Sequence, residues 1–339
     1  MFHDIFQGKR VLITGGTGSF GNTIVGSLLQ TDPAKVIIFS RDENKQYHMK
    51  NRLEDYGDKL KFIIGDVRDQ EKLNQSFKNV DIIFHAAAYK HVPGYESFPM
   101  EAVKTNVLGA HNVKIAAMAN NVEKVIAIST DKAVKPVNVM GMTKALQEKV
   151  MLDDTDSSTD FICVRYGNVL SSRGSVVPFF KERILQKKPL PITHPEMTRY
   201  LLTLEQAIGL VFHATKHGKS GELFVKKMPA CRIVDLASVM GEAFANKPDY
   251  PTQIVGIRPG EKIHELLVSE EEMRRVKETD HHYIVYKHGV VEKPDIKTPI
   301  NEYGSNTYPP LSKEAILEIL KVGGEIHLEG DIQHQLYLI

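Results

Sequence analysis

The run Thr14-Gly15-Gly16-Thr17-Gly18-Ser19-Phe20-Gly21 constrains this chain more than any other stretch. It follows an apolar segment, Arg10-Val11-Leu12-Ile13, and opens a helical pattern that continues to about Gln30. Glycines 15, 18 and 21 have separate duties: a tight turn, close approach of backbone to a pyrophosphate, and close packing of helix on strand. The helix N-terminus adds free amide groups and a partial positive charge, which attract phosphate. A glycine-rich turn alone is often only a turn. Here a second apolar strand, Lys35-Val36-Ile37-Ile38-Phe39-Ser40, ends at the distance that dinucleotide binding requires. Gly15, Thr17, Gly18, Ser19, Phe20 and Gly21 are therefore the expected phosphate contacts.

Strand and helix signals then alternate. Lys61-Phe62-Ile63-Ile64, Asp81-Ile82-Ile83-Phe84 and Lys124-Val125-Ile126-Ala127-Ile128 read as strands, separated by helical patterns over 42–56, a polar stretch, and 99–120. Apolar strands without a polar face are buried on both sides, as in a parallel sheet covered by helices. The expected fold is α/β, a doubly wound Rossmann-type parallel sheet with a smaller C-terminal substrate-binding lobe. Prolines at 178, 189, 191 and 195 punctuate a looser pattern after Tyr166. The expected domains are 1–166 for the cofactor, 167–270 for substrate with interleaved Rossmann elements, and 271–339 as an extension. That extension carries one clear helix over 312–320, with Ser312 as its N-cap.

A formal charge of +1, from 43 basic and 42 acidic residues, provides no broad field for nucleic acid or anionic membrane. An anionic ligand must be caught by a local pocket. Cys163 and Cys231 lie far apart without metal-ligand spacing and read as reduced packing residues. No basic-then-apolar leader is evident at the start, and no stretch approaches the roughly 20 apolar residues of a membrane span. A cytoplasmic protein without a metal is expected.

The end of the second strand selects the cofactor. Acidic residues there suit the ribose hydroxyl of NAD, and arginine suits the added phosphate of NADP. Ser40 and Arg41 arrive first, Lys45 follows, and a guanidinium fork matches phosphate oxygens. NADP is the expected cofactor. The alternative leaves Asp42 capping the next helix and Arg41 solvated. Asp66 and Val67 stand where an adenine edge would be read, and Ala86, Ala87 and Ala88 offer small side chains beside the nicotinamide ribose.

The fifth strand ends in Ser129-Thr130-Asp131-Lys132, at the sheet edge where such folds bind ligands. Met140-Gly141-Met142-Thr143-Lys144 opens the next helix, with residues 140 and 144 on one face. With the glycine loop and Asn106, these features resemble the extended short-chain dehydrogenase/reductase family. Ser129-Thr130-Asp131-Lys132-Ala133, Arg165-Tyr166-Gly167-Asn168-Val169, Met197-Thr198-Arg199 and Arg258-Pro259-Gly260-Glu261-Lys262 resemble, within it, the UDP-N-acetylglucosamine 4,6-dehydratases of bacterial polysaccharide and flagellar glycan pathways. The likeness runs from about residue 8 to 270. Most of that superfamily has tyrosine where this chain has Met140, and a thioether has no proton to pass. Some capsule-type dehydratases resemble this chain in carrying methionine there.

The resemblance implies oxidation at C4 of the sugar, removal of the C5 proton, loss of the C6 hydroxyl as water, and hydride return to C6. It implies Lys132 as the C5 base and Asp131 as the C6 acid, with Thr130 hydrogen-bonding O4. Lys144 would hold the nicotinamide ribose, and Asn106 belongs to the same cofactor pattern. With Met140 inert, O4 would lose its proton to Lys132 or to a water positioned by Asp131. Asn168, Arg199 and Arg258 match positions that bind sugar and pyrophosphate. Glu261 would orient a uridine ribose or pair with Arg258, and Lys90 and His91 would approach the sugar. The methionine-bearing relatives suggest inversion at C5, and helices beside the site suggest a homo-oligomer. The competing readings are a nucleotide-sugar 4-epimerase and a catalytically silent NADP sensor.

Overall fold

The computed structural model describes residues 2–90, 94, 96–153, 156–170, 175–287 and 301–326. The chain divides into two compact units, the first built from Met1–Gly167, Glu205–Lys227 and Leu266–Gly304. Its strands are β1 (Arg10–Thr14), β2 (Lys35–Ser40), β3 (Leu60–Ile64), β4 (Ile82–His85), β5 (Lys124–Ile128), β6 (Asp160–Arg165), β7 (Glu222–Lys226), β8 (Val276–Glu278) and β9 (His282–Tyr286). They form one sheet of order β8-β9-β7-β6-β5-β4-β1-β2-β3. From β3 to β7 every neighbouring pair is parallel, and β9 and β8 close the far edge antiparallel. The β-branched runs explain this: Val11, Ile13, Val36, Ile38, Ile83, Val125 and Ile126 are all fully covered, as strands between two helical layers must be.

Strand order reverses at β1, which pairs β2 on one side and β4 on the other. The carboxyl ends of β1 and β4, Thr14 and His85, therefore sit side by side at the switch point, where this topology leaves a crevice. Helix α1 (Ser19–Leu29) follows β1, and α2 (Glu43–Arg52) follows β2. The helical pattern read over 42–56 stops at Arg52, and Glu54–Lys59 forms a tighter turn around Gly57. Helix α3 (Gln70–Ser76) precedes β4. Helix α4 covers 99–119, but Val103–Leu108 is a π-helical segment between α-helical Pro99–Ala102 and Gly109–Ala119. Such widened turns are often found at functional sites. Helix α5 (Val139–Met151) is capped by the Asn138 side chain, which accepts from the Gly141 amide at 2.8 Å.

Residues 276–286, set apart on sequence as part of an extension, instead add β8 and β9 to the main sheet. Their buried positions alternate (Tyr283 and Val285 inward), the pattern of an edge pair covered on one face.

The second unit comprises Asn168–Leu204, Met228–Glu265 and Ser305–Ile339. Its helices Val176–Leu185, Ile233–Ala245 and Lys313–Val322 surround a core that includes Phe180, Leu190, Ile192, Leu236, Met240 and Leu320. Ser312 caps the last helix, accepting from the Ala315 amide. Two small strand pairs complete it: Thr198–Tyr200 with Ala230–Arg232, and Leu190–Ile192 with Thr252–Ile254. Both cysteines are buried free thiols. Among the described residues no helix is long and apolar enough to cross a membrane.

Candidate active site

The glycine loop is built for close approach. Gly15 has φ +70°, and a Cβ there would lie 2.8 Å from the Ala87 backbone. A Cβ on Gly21 would lie 2.3 Å from the Gly16 carbonyl oxygen, so only glycine lets α1 start this tightly. No side chain caps α1 at Gly18, which leaves its first-turn amides to an outside anion. Thr17 donates to the Ser40 hydroxyl at 3.1 Å and Gln46 donates to the same oxygen at 3.2 Å, joining the loop to the end of β2. The Ala87 amide donates to Thr14 Oγ1 at 3.3 Å, drawing 86–88 against the end of β1.

His85, not singled out on sequence, is the neighbour that Thr14 meets, with its Nδ1 2.8 Å from Thr14 Oγ1. Burial and the positive charge of Lys144 hold this imidazole neutral, pushed down to about 3. The only sequence signal for it was its place just before Ala86-Ala87-Ala88.

At the tip of β2, Arg41 donates to the Tyr89 hydroxyl at 3.0 Å and lies 3.5 Å from the Asp66 carboxylate. Burial works against charge on Asp66, but hydrogen bonds from Arg68 overcome it and hold the carboxyl below its usual range. Asp42 caps α2 by accepting from the Lys45 amide, and it also pairs with Lys45 Nζ at 2.6 Å. Arg41 keeps 46% of its side chain exposed. Tyr89 and Arg68 were missed although each adjoins a marked residue, Ala88 and Val67, because their partners Arg41 and Glu101 lie on other segments. Asn106, in the π-helical segment, is fully buried and bonded within the protein. Its amide accepts from Tyr89 N at 2.8 Å and donates to Thr143 Oγ1 at 3.0 Å. That geometry makes it a tether between α5 and the loop after β4. Val67 is buried under Gly109. Lys90 is exposed, and His91 lies outside the described residues.

At the end of β5, the Ser129 amide donates to Val164 O and the Asp131 amide to Tyr166 O, so the reaction loop is laced to β6. A single tight turn, Asp131–Ala133, folds Lys132 back on its neighbour. Lys132 Nζ lies 3.1 Å from Asp131 Oδ1, and Thr130 Oγ1 donates to that same oxygen at 2.7 Å. Asp131 is 1% exposed and Lys132 24%, so acid and amine share one partly dry corner. The first turn of α5 lies directly on this loop: a Cβ at Gly141 would stand 2.3 Å from the Lys132 carbonyl oxygen. Gly141→Ala is therefore expected to displace the loop, costing about 1–3 kcal/mol of stability and lowering kcat. Thermal melts and turnover measured together check this, and a variant indistinguishable from the parent would contradict it.

Met140 and Lys144 are both buried on the loop-facing side of α5. Lys144 Nζ donates to Ile128 O at 2.5 Å and to Gln147 Oε1 at 2.8 Å. Burial pushes this amine down to about 8, with Glu148 opposing. Beneath the loop, Arg165 is clamped by two carboxylates, donating to Glu148 at 2.5 and 3.0 Å and to Glu272 at 2.9 and 3.0 Å.

In the second unit, Arg199 is largely buried, and its guanidinium donates to the carbonyls of Thr198, Ile263 and Lys262 at 2.8–3.0 Å. Glu265 stands 3.4 Å away and Glu261 3.8 Å. These bonds make Arg199 a strut for 261–265, whereas the sequence reading expected a phosphate clamp. Arg258 is exposed, and its amide donates to Glu261. Asn168 Oδ1 is buried and has no hydrogen-bond partner among the described residues.

A glycine loop at the switch point of a doubly wound sheet, with a Thr-Asp-Lys turn off β5, defines the class: an enzyme of the nucleotide-sugar dehydratase and epimerase superfamily, on the extended short-chain dehydrogenase/reductase fold. Within that class, the chain belongs to the polysaccharide biosynthesis protein family, whose profile matches residues 11–287. It is 43% identical to a protein of Methanocaldococcus jannaschii described as an uncharacterized membrane protein, over 95% of this chain and 98% of that one. It is also 43% identical to a UDP-glucose 4-epimerase of Rickettsia felis, over 93% of this chain and 96% of that one. The crystal structure of Pen from Bacillus thuringiensis superposes with a TM-score of 0.87 at 34% identity, covering 95% of this chain and 99% of that one.

Proposed function

We propose that this protein is an NADP-dependent, C5-inverting UDP-N-acetylglucosamine 4,6-dehydratase serving surface-glycan synthesis in the cytoplasm. The observation that carries the proposal is the Asp131–Lys132 pair, 3.1 Å apart at the carboxyl end of β5. Loss of water across C5 and C6 requires a base to take one proton and a neighbouring acid to give another, beyond any oxidation machinery, and an adjacent amine and carboxyl supply such a pair.

The residues around the glycine loop fit a dinucleotide, since Gly15 and Gly21 clear the backbone and α1 presents uncapped amides. When bound, NADP supplies the oxidation of C4 and returns the hydride at C6. Lys132, as a free amine, then takes the C5 proton, which a C4 ketone has made acidic. Asp131, in its acid form, gives a proton to the departing C6 oxygen, and water leaves. As hydride reaches C6, Lys132 returns a proton to C5 on the opposite face, which sets the inverted configuration. The O4 proton passes to the Asp131 carboxylate, either through a water or through Lys132 at 3.1 Å, which leaves Asp131 as the acid and Lys132 as the free amine, and Thr130 holds O4. Lys144 holds the nicotinamide ribose. In the second unit, Arg258 and Asn168 are the proposed contacts to diphosphate and sugar, while Arg199 shapes the 258–265 segment and Glu261 orients a ribose. Exposed Leu108, Met142 and Leu146, on α4 and α5, suit a homo-oligomer contact.

The name of the Rickettsia relative favours a second reading, a 4-epimerase. That reaction shares the C4 oxidation and its O4 proton transfer but has no use for an acid–base pair at C5 and C6, which Asp131 and Lys132 would supply. Incubation with UDP-N-acetylglucosamine separates the readings: a keto sugar lighter by one water supports the dehydratase, and a product of unchanged mass refutes it. Arg41 carries the cofactor choice. Arg41→Ser is expected to cut the preference for NADPH over NADH by about tenfold or more, the worth of a lost charge-assisted hydrogen bond. Fluorescence titration of both cofactors checks this, and an unchanged ratio would rule out Arg41 as the phosphate contact.

A further inference from the structure

Helix α5 grips the end of β5 at two consecutive residues. Lys144 reaches the Ile128 carbonyl at 2.5 Å, and one helical turn later Glu148 accepts from the Ser129 hydroxyl at 2.5 Å. The next three residues are Thr130, Asp131 and Lys132, so both grips lie immediately before the proposed acid and base. Glu148 has no freedom to swing away. Arg165, itself 1% exposed, forks onto both its oxygens, and Glu272 and the Leu267 carbonyl (2.7 Å) take the rest of that guanidinium. A carboxylate held this way in a dry interior is a fixed negative charge, and i, i+4 spacing places it beside Lys144. Two carboxylates meet one guanidinium here, and the Lys144 ammonium, four residues before Glu148 on the same helix, balances the second.

We propose that Glu148 is a positioning residue for the reaction, which holds the Thr130–Lys132 loop through Ser129 and keeps Lys144 protonated by standing one turn behind it. The inference rests on the assignment of Lys144 to the nicotinamide ribose. Burial drives the Lys144 amine downward, and the Glu148 carboxylate and, more weakly, the buried Cys163 on β6 oppose it; the imidazole of His85 on β4, which also faces Lys144, is neutral. A neutral Lys144 would lose its charge-assisted bonds to Ile128 O and Gln147, and with them its hold on the ribose hydroxyls. Cofactor retention and turnover should then share an alkaline limit set by this amine. Glu272, the other carboxylate of the cluster, has its oxygens bonded to Arg165 and Ser269, so it serves as the internal control.

The test compares Glu148→Gln with Glu272→Gln in the full-length protein, following NADPH binding by its fluorescence and turnover of UDP-N-acetylglucosamine across pH. Removing the Glu148 charge lowers the Lys144 pKa, so the alkaline limb of NADPH binding moves to lower pH, by about one unit or more. Glu272→Gln weakens the fold but leaves that limb in place. Equal limbs in both variants and the parent would overturn the proposal and reduce Glu148 to a structural partner of Arg165. Should Glu148→Gln not fold, Ser129→Ala reads the positioning half with every charge intact: kcat falls about tenfold with KM nearly unchanged, and an unchanged kcat would overturn it. If the parent protein binds NADPH but turns over no sugar, the dehydratase reading fails, and the binding limb still decides the role of Glu148.

Discussion

Lys132→Ala is expected to lose turnover by about a thousandfold or more, because it removes the amine paired with Asp131, the proposed acid. The protein should remain folded: Lys132 is partly exposed and sits in a turn held by backbone bonds to β6. The loss should appear in kcat, with KM little changed, since the residue acts on a transition state more than on the bound sugar. Lys132→Arg keeps the charge beside Asp131 but offers a guanidinium that does not give up its proton, so it should be nearly as inactive. Mass spectrometry of sugar recovered from deuterated water reads the step directly. Deuterium uptake at C5 should vanish in both variants, and exchange retained in Lys132→Ala would assign the base elsewhere.

Arg165→Leu should produce the largest loss of stability. Breaking a buried pair by removing one partner strands the other charges, here Glu148 and Glu272, at a cost of about 3–5 kcal/mol. The effect depends on pH in a definite direction. Burial disfavours the Glu272 carboxylate, yet Arg165 pulls it down to about 2 from its ordinary 4.5. A depressed acid stabilises the fold above its unfolded pKa, and that contribution fades as pH falls from 4.5 toward 2. The stability gap between parent and variant is thus widest near neutrality and narrows in acid. Denaturant titrations at several pH values check this, and a gap that widens in acid would contradict it.

What the sequence made legible was local. The glycine loop, the apolar strands and the Thr130-Asp131-Lys132 turn announce themselves through residue types set within a few positions of one another, because one backbone segment performs one task. What it hid was made by distance. Glu148, Arg165 and Glu272 lie in three separate segments and converge only once β6 and α5 pack. Arg199 illustrates the same limit. An arginine in a family-like motif reads as a phosphate clamp, yet three backbone carbonyls occupy its fork. The reach of the helix read over 42–56 was overstated because its polar pattern continues past Arg52, while the chain must turn at Gly57 to enter β3. Strand β8, Val-Lys-Glu, is too short and charged to be read as a sheet member and takes its pairing from β9, whereas β9, His-Tyr-Ile-Val-Tyr, carries an aromatic and β-branched signal that went unread.

The central claim is that a ketone forms transiently at C4 and that the amine beside it moves the hydrogen at C5. Conversion of UDP-N-acetylglucosamine in deuterated water, with the product read by mass and by proton NMR, tests it most directly. The expected product is a keto sugar lacking one water, with solvent deuterium at C5 and the original C4 hydrogen at C6. A product that has kept its C5 hydrogen, or one with C6 hydrogen drawn from solvent, would contradict it.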